Sequence, residues 1–147
     1  MPGANGIMYR SGHIFVSNTD RNRIVRIAIL EDRSAGAIET AAENLRADDF
    51  AFANSGALYI ATHPANTILR LAPDGARVTI AGPNDGAVGS TSCAFGRGGK
   101  EGTALYVTTN GGLWTPYKGE VQEARLLRLE VGETGEPLPP QGCRDAG

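Results

Sequence analysis

Apolar and polar positions alternate along this chain in short runs, and the runs recur in a fixed order. "GIMYR", "HIFVSNT" and "RIVRIAI" follow one another in the first 29 residues. "FAFAN", "ALYIATH" and "TILRLAP" repeat that order between residues 50 and 73, and "SCAFG", "ALYVTTN" and "RLLRLEV" between residues 92 and 131. Runs of this length, rich in β-branched and aromatic residues and bounded by Gly, Pro, Asn and Asp, predict strands. The breakers are "SG", "PDG", "GPNDG" and "GRGGKEG".

The recurrence is a repeat in register. Ser11-Gly12 stands opposite Ser55-Gly56, Ile14-Phe15-Val16 opposite Leu58-Tyr59-Ile60, and Arg26 opposite Arg70, each 44 residues later. In a third unit Leu105-Tyr106-Val107 takes the place of Leu58-Tyr59-Ile60. "ARLLRLEVGETG" there matches "NTILRLAPDG", after an enlarged loop, "GGLWTPYKGEVQE". A fourth, outer strand is expected at "AIETAAE" and at "ARVTIAG". Helix propensity alone would allow a helix over "AIETAAENLRA", but its place in the repeat argues for a strand. The third unit is followed by "EPLPPQGCRDAG", whose prolines do not suit a central strand.

Four short antiparallel strands every 40-odd residues mark a β-propeller blade. The expected fold is therefore all-β: a partial propeller of about three four-stranded antiparallel blades, half of a six-bladed ring. The blades are placed at residues 1–44, 45–87 and 88–136, with a Pro-rich tail at 137–147. Closed propellers have about 4 to 8 blades. Three leave two uncovered blade faces and open edges, which invite self-association. The chain is therefore expected to be either a fragment of a larger propeller or a half-propeller that closes by pairing with another copy.

Composition narrows the function classes. The chain has 147 residues, 41% of them hydrophobic and 20% charged, with 20 Gly and 8 Pro. That fits one turn-rich globular domain rather than a disordered tail. A net charge of -2 gives no footprint for nucleic acid or an anionic membrane. No run approaches the roughly 20 apolar residues of a membrane span, and "MPGANGIMYR" shows no signal peptide, so a soluble domain is expected. Cys93 and Cys143 have neither metal-site nor disulfide-framework spacing. Cys93 is expected to be a buried apolar side chain, and Cys143 incidental.

The chain resembles the C-terminal half of the six-bladed propellers of the senescence-marker-protein, gluconolactonase and luciferin-regenerating-enzyme (regucalcin-like) family. "GANGIMYRSGHIFVSNT" is similar to that family's P-N-G blade start. "ADDFAFANSGALYIATH" is similar to its P-D-G…D-x-x-G-x-L-W-V-A segment, and "TSCAFGRGGKEGTALYVTTNGG" to its T-S-x-x-F-G-G…L-Y-V-T segment. The three occur in the family's order over most of residues 3–112. The resemblance implies one divalent cation in the channel, held by a Glu of the first blade and by the Asn and Asp of these motifs. Asn5 falls on the Asn and Asp48 on the Asp. The Glu belongs to a blade this chain does not contain. Ala4 replaces the family Pro, and Asp49 the Gly after the Asp.

The residues themselves agree with that implication. Asn5 and Asp48 each open the first strand of a blade, and the innermost strands line the channel. An amide oxygen and a carboxylate suit a hard cation: Ca²⁺ first, then Mg²⁺, Mn²⁺ or Zn²⁺. Such an ion activates a carbonyl and a water for hydrolysis of a lactone or ester, with Asp48 as general base. Each residue also has a plainer reading, since Asn-Gly and Asp-rich segments form turns. Strand alternation allows one of Asp48 and Asp49 to face a metal squarely. Ser90, Thr91 and Ser92 stand at the same place in the third blade, and Ser90, Thr91 and Asp49 are candidate substrate contacts. Alternatively, these hydroxyls serve backbone. His63 reads as a loop residue beside Pro64, "GRGGKEG" as a hairpin connection and Trp114 as a lid or an exposed loop residue. The competing functional reading is a non-catalytic module that binds a ligand or protein on its channel face, as NHL-type repeats do.

Overall fold

The computed structural model describes residues 3–137, so Cys143 and nearly all of the Pro-rich tail lie outside the described residues. Among them the chain forms three antiparallel sheets and no α-helix. Blade 1 contains β1 (Ala4–Arg10), β2 (His13–Asn18), β3 (Arg23–Ile29) and β4 (Ala35–Glu43) in spatial order 1-2-3-4. Blade 2 contains β5 (Ala47–Phe52), β6 (Leu58–Thr62), β7 (Thr67–Leu71) and β8 (Arg77–Ala81) in the same meander. Blade 3 has three strands among the described residues, β9 (Ser90–Phe95), β10 (Ala104–Thr109) and β11 (Leu126–Glu130). "AIETAAE" and "ARVTIAG" are the outer strands β4 and β8. "GRGGKEG" is more than a hairpin connection: Gly99–Thr103 forms a short 3-10 turn before β10.

The alternation read from the sequence is the alternation of the two blade faces. In β6, Leu58 and Ile60 face back toward blade 1, while Tyr59 and Ala61 face on toward blade 3. Two apolar clusters result, one between each pair of neighbouring blades. Phe50, Phe52, Ile60 and Leu71 pack with Ile24 and Phe15 of blade 1. Tyr59, Ala61 and Ile68 pack with Cys93, Phe95, Leu105 and Val107 of blade 3. Each interface carries the same aromatic pair. Phe15 meets Phe52 edge-on at 4.9 Å between centroids, and Tyr59 meets Phe95 edge-on at 5.2 Å. Such edge-to-face pairs add to the area they bury.

After β11 the chain doubles back beneath the inner strands. Asn54 donates its backbone N–H to Thr134, and Glu136 donates to Phe52. Gly135 crosses over Phe95 so closely that a Cβ there would lie 2.3 Å from the Phe95 Cβ. The Glu133 carboxylate accepts from Arg70 Nε (2.6 Å), Tyr59 Oη (3.0 Å) and Ser55 Oγ. Glu136 accepts from Arg10 Nε at 3.1 Å. This strap ties the last described residues to blades 1 and 2.

Candidate functional site

The first strands of the three blades lie side by side, β1 against β5 and β5 against β9. A cavity of about 340 Å³ runs between them, lined by Ile7, Asp49, Ala51, Ser92 and Ala94, with Arg97 and Glu136 at the strap end. This is the inner channel side. The opposite end is where Asn5, Asp48 and Thr91 sit.

Each inner strand has a register irregularity at that end. The break falls between Ala4 and Ile7 in β1, between Ala47 and Asp49 in β5, and at Thr91 in β9. Bulges re-aim side chains and are common beside functional sites. They also make the three strands equivalent, residue for residue. Asn5, Asp48 and Thr91 occupy one position, 43 residues apart, and Gly6, Asp49 and Ser92 the next. Thr91, rather than Ser90, is thus the blade 3 counterpart of Asp48.

The two neighbouring acids point to different neighbours. Asp48 turns toward blade 1, where Asn5 Nδ2 donates to its Oδ1. Asp49 turns toward blade 3, where Ser92 Oγ donates to its Oδ2. Gly6 lies against Asp49 so tightly that a Cβ there would meet Asp49 Oδ1 at 2.4 Å and its Cα at 2.9 Å. Burial pushes the Asp48 carboxyl above its ordinary value; His63 and the Asn5 hydrogen bond pull it down, and Asp49 adds to the rise. A carboxylate that is partly desolvated and partnered by a neutral amide favours a proton or a cation.

Supporting hydroxyls hold this end in place. Ser17 is buried, accepts from the Gly6 N–H at 2.7 Å and donates to the Asp48 carbonyl at 2.7 Å. Thr19 donates to the Ala47 carbonyl at 2.7 Å. Both sit in "VSNT" at the end of the second strand. Sequence reasoning missed them, and the available signal was a hydroxyl one strand away from each bulge. Ser90 is buried and its hydroxyl donates to the Ala87 carbonyl at 2.6 Å. Thr91 contacts Thr108, with 3.2 Å to its carbonyl. The hydroxyls of Ser90 and Thr91 therefore serve backbone, while Ser92 reaches Asp49. His63 follows β6, and its Nε2 is buried without a hydrogen-bond partner. Trp114 is 80% exposed on the enlarged loop. Cys93 is buried, donates its thiol to the Tyr59 carbonyl, and has its pKa pushed up by that burial.

No group of three or more His, Cys, Asp or Glu side chains converges among the described residues. What does converge is a pair of oxygen-bearing side chains from adjacent blades, Asn5 and Asp48. That donor set fits one side of a hard-cation site. No helix of the described residues is long and apolar enough to cross a membrane.

A scan against protein-family models gave no match, and a search of curated proteins gave none either. Solved structures do match. A luciferin-regenerating enzyme superposes with a TM-score of 0.67 at 18% identity, over 90% of this chain and 47% of that one. A calcium-binding protein, regucalcin, from Agrobacterium tumefaciens superposes at 0.65 and 20% identity, over 92% of this chain and 48% of its own. A candidate gluconolactonase gives 0.60 and 20% identity, over 92% and 41%. This chain therefore has the fold of part of a regucalcin-like propeller. It spans under half the length of the structures it matches.

Proposed function

We propose that this chain is the metal-binding side of a gluconolactonase-like propeller, acting in hydrolysis of a lactone or ester. The observation that carries the reading is the meeting of Asn5 and Asp48 across two blades, with the Asp48 carboxyl raised by burial. Asn5 and Asp48 would hold one divalent cation, with Ca²⁺ the first candidate given their oxygen donors. When bound, the ion would supply Lewis-acid activation of a carbonyl and of a water.

The chain's own residues account for the remainder. Asp48 can accept a proton from an attacking water, since burial raises its basicity. Ser17 fixes the backbone of both donor strands, so the two side chains are placed before any ligand arrives. Asp49 and Ser92 line the channel next to them and offer a carboxylate and a hydroxyl to a polar substrate.

Thermal unfolding with and without Ca²⁺ or Mn²⁺ tests this. Ligand at a hundred times its Kd adds about 2.7 kcal/mol, a rise of roughly 5–10 °C in a domain of this size. Asp48→Ala is expected to abolish the rise. If neither ion moves Tm, or if Asp48→Ala keeps the shift, the metal reading fails for this chain.

A further inference from the structure

The two free blade faces repeat the chemistry of the two buried ones. Each blade has a backward face, turned to the preceding blade, and a forward face, turned to the next. The backward faces of blades 2 and 3 are aliphatic and packed against a neighbour: buried Ile60 with partly buried Leu58 and Leu69 in one, buried Leu105 and Val107 with partly buried Leu127 in the other. At the same positions blade 1 carries Ile14 and Val16, both half-buried, and Val25, which is buried. Beside them Ile38 is 69% exposed, and no blade among the described residues covers it.

The forward faces match as well. Blade 2 presents Tyr59 with Arg70, and their polar ends meet on Glu133. Blade 3 presents Tyr106 paired to Arg128 across β10 and β11, and their polar ends meet on Glu101. One forward face is buried and the other is open. Leu126, in the place of the buried Ile68, is 69% exposed.

The aromatic pairs make the correspondence specific. Phe15–Phe52 joins blades 1 and 2, and Tyr59–Phe95 joins blades 2 and 3. Tyr106 is the next member of the Phe15, Tyr59 series. Tyr9 is the member of the Phe52, Phe95 series that precedes them, and it is half exposed. Each half of a third pair is thus present at opposite ends of the chain, on faces that cannot reach each other within one copy.

We propose that two copies of this chain close head to tail into a six-bladed ring, the forward face of blade 3 packing on the backward face of blade 1 of the second copy. Both junctions are then identical, and each contains a Tyr106–Tyr9 pair. A heterologous contact repeated twice closes only if the rotation is a half turn. The chain covers 41–48% of three solved structures with this fold, so two copies supply most of the length of one. The Asn5–Asp48 pairs of both copies would line one channel. The assembly itself stands on the blade faces, independently of metal binding.

Light scattering on the 147-residue chain at micromolar concentration, without added metal, is the test. A species of two 15.4 kDa chains is expected. A monomer overturns the proposal, because the faces must then belong to other blades or partners, and so does an open series of larger oligomers. Tyr9→Asp and Leu126→Asp lie on opposite faces, and each is expected to give monomer with an unchanged far-UV spectrum. A Leu126→Asp chain that stays dimeric shows a blade 1 to blade 1 contact and refutes head-to-tail closure. Loss of the Ca²⁺ response with the dimer intact would sink the metal reading and leave this one standing.

Discussion

Replacing Glu133 by Gln should weaken the strap in a way that depends on pH. The carboxylate takes Arg70 Nε at 2.6 Å, Tyr59 Oη at 3.0 Å and the Ser55 hydroxyl. Gln keeps an acceptor for Tyr59 or Ser55 but loses the charge opposite Arg70. A hydrogen bond to a charged group contributes about 1.5–3 kcal/mol. Both side chains are about a quarter exposed, 28% for Arg70 and 23% for Glu133, so solvent screening reduces that to about 1–2 kcal/mol. Near neutral pH the Tm should fall by roughly 2–8 °C for a chain of this length. The Arg70 hydrogen bond holds the Glu133 carboxyl below its ordinary value, helped by Ser55. A depressed folded pKa gives stability above the unfolded pKa, near 4.3, and loses it as pH falls through the folded value. The wild-type advantage should therefore be full at neutral pH and vanish in acid. Urea unfolding followed by far-UV circular dichroism at both pH values measures it; Trp114 is too exposed to report on the core. Equal stabilities at neutral pH, or a gap that persists unchanged in acid, would refute the reasoning.

Two further substitutions probe the core and the site. Phe50→Ala removes a fully buried ring that stands edge-on to Phe52 at 6.0 Å; it should cost about 3–5 kcal/mol in urea unfolding. Asp48→Asn should raise the Tm of the metal-free chain at neutral pH. A folded pKa raised by burial means stability present below the unfolded pKa and lost as pH rises through the folded one, and the amide escapes that loss. An unchanged or lower Tm counts against a strained carboxylate.

The blade order was legible because a two-residue period, once repeated at 44 residues, identifies both the strands and their faces. "AIETAAE" shows why the repeat mattered: its own propensity allows a helix, and its place beside β3 makes it a strand. The bulges were not legible. Nothing in "RADDFAF" marks Asp48 as the residue outside the ladder, because a bulge depends on the partner strand's length and twist. For the same reason the sequence does not single out Thr91 among Ser90, Thr91 and Ser92 as the counterpart of Asp48. The strap was also hidden. Glu133 and Glu136 sit in "GETGEPLPP", which reads as a polar connection, and their partners Arg70 and Arg10 are 63 and 126 residues away.

The adjacent acids follow from the same face logic. A residue on an inner strand belongs to the interface on its own side, so neighbours in sequence serve different interfaces. Asp48 hydrogen-bonds to blade 1 and Asp49 to blade 3, although Gly6 of blade 1 also lies against Asp49. Alternation would ordinarily bury both between aliphatic faces, as it buries Phe50 and Ala51 below them. The bulge ends that regime at the channel mouth, where Asn5 and Ser92 supply polar partners and some solvent remains. Two neutral partners satisfy hydrogen-bonding capacity but leave two negative charges side by side, and that residual charge is what raises Asp48 further. A cation is the simplest way to offset it. The double acid is therefore costly in the metal-free chain, and the Asp48→Asn stability measurement tests that cost.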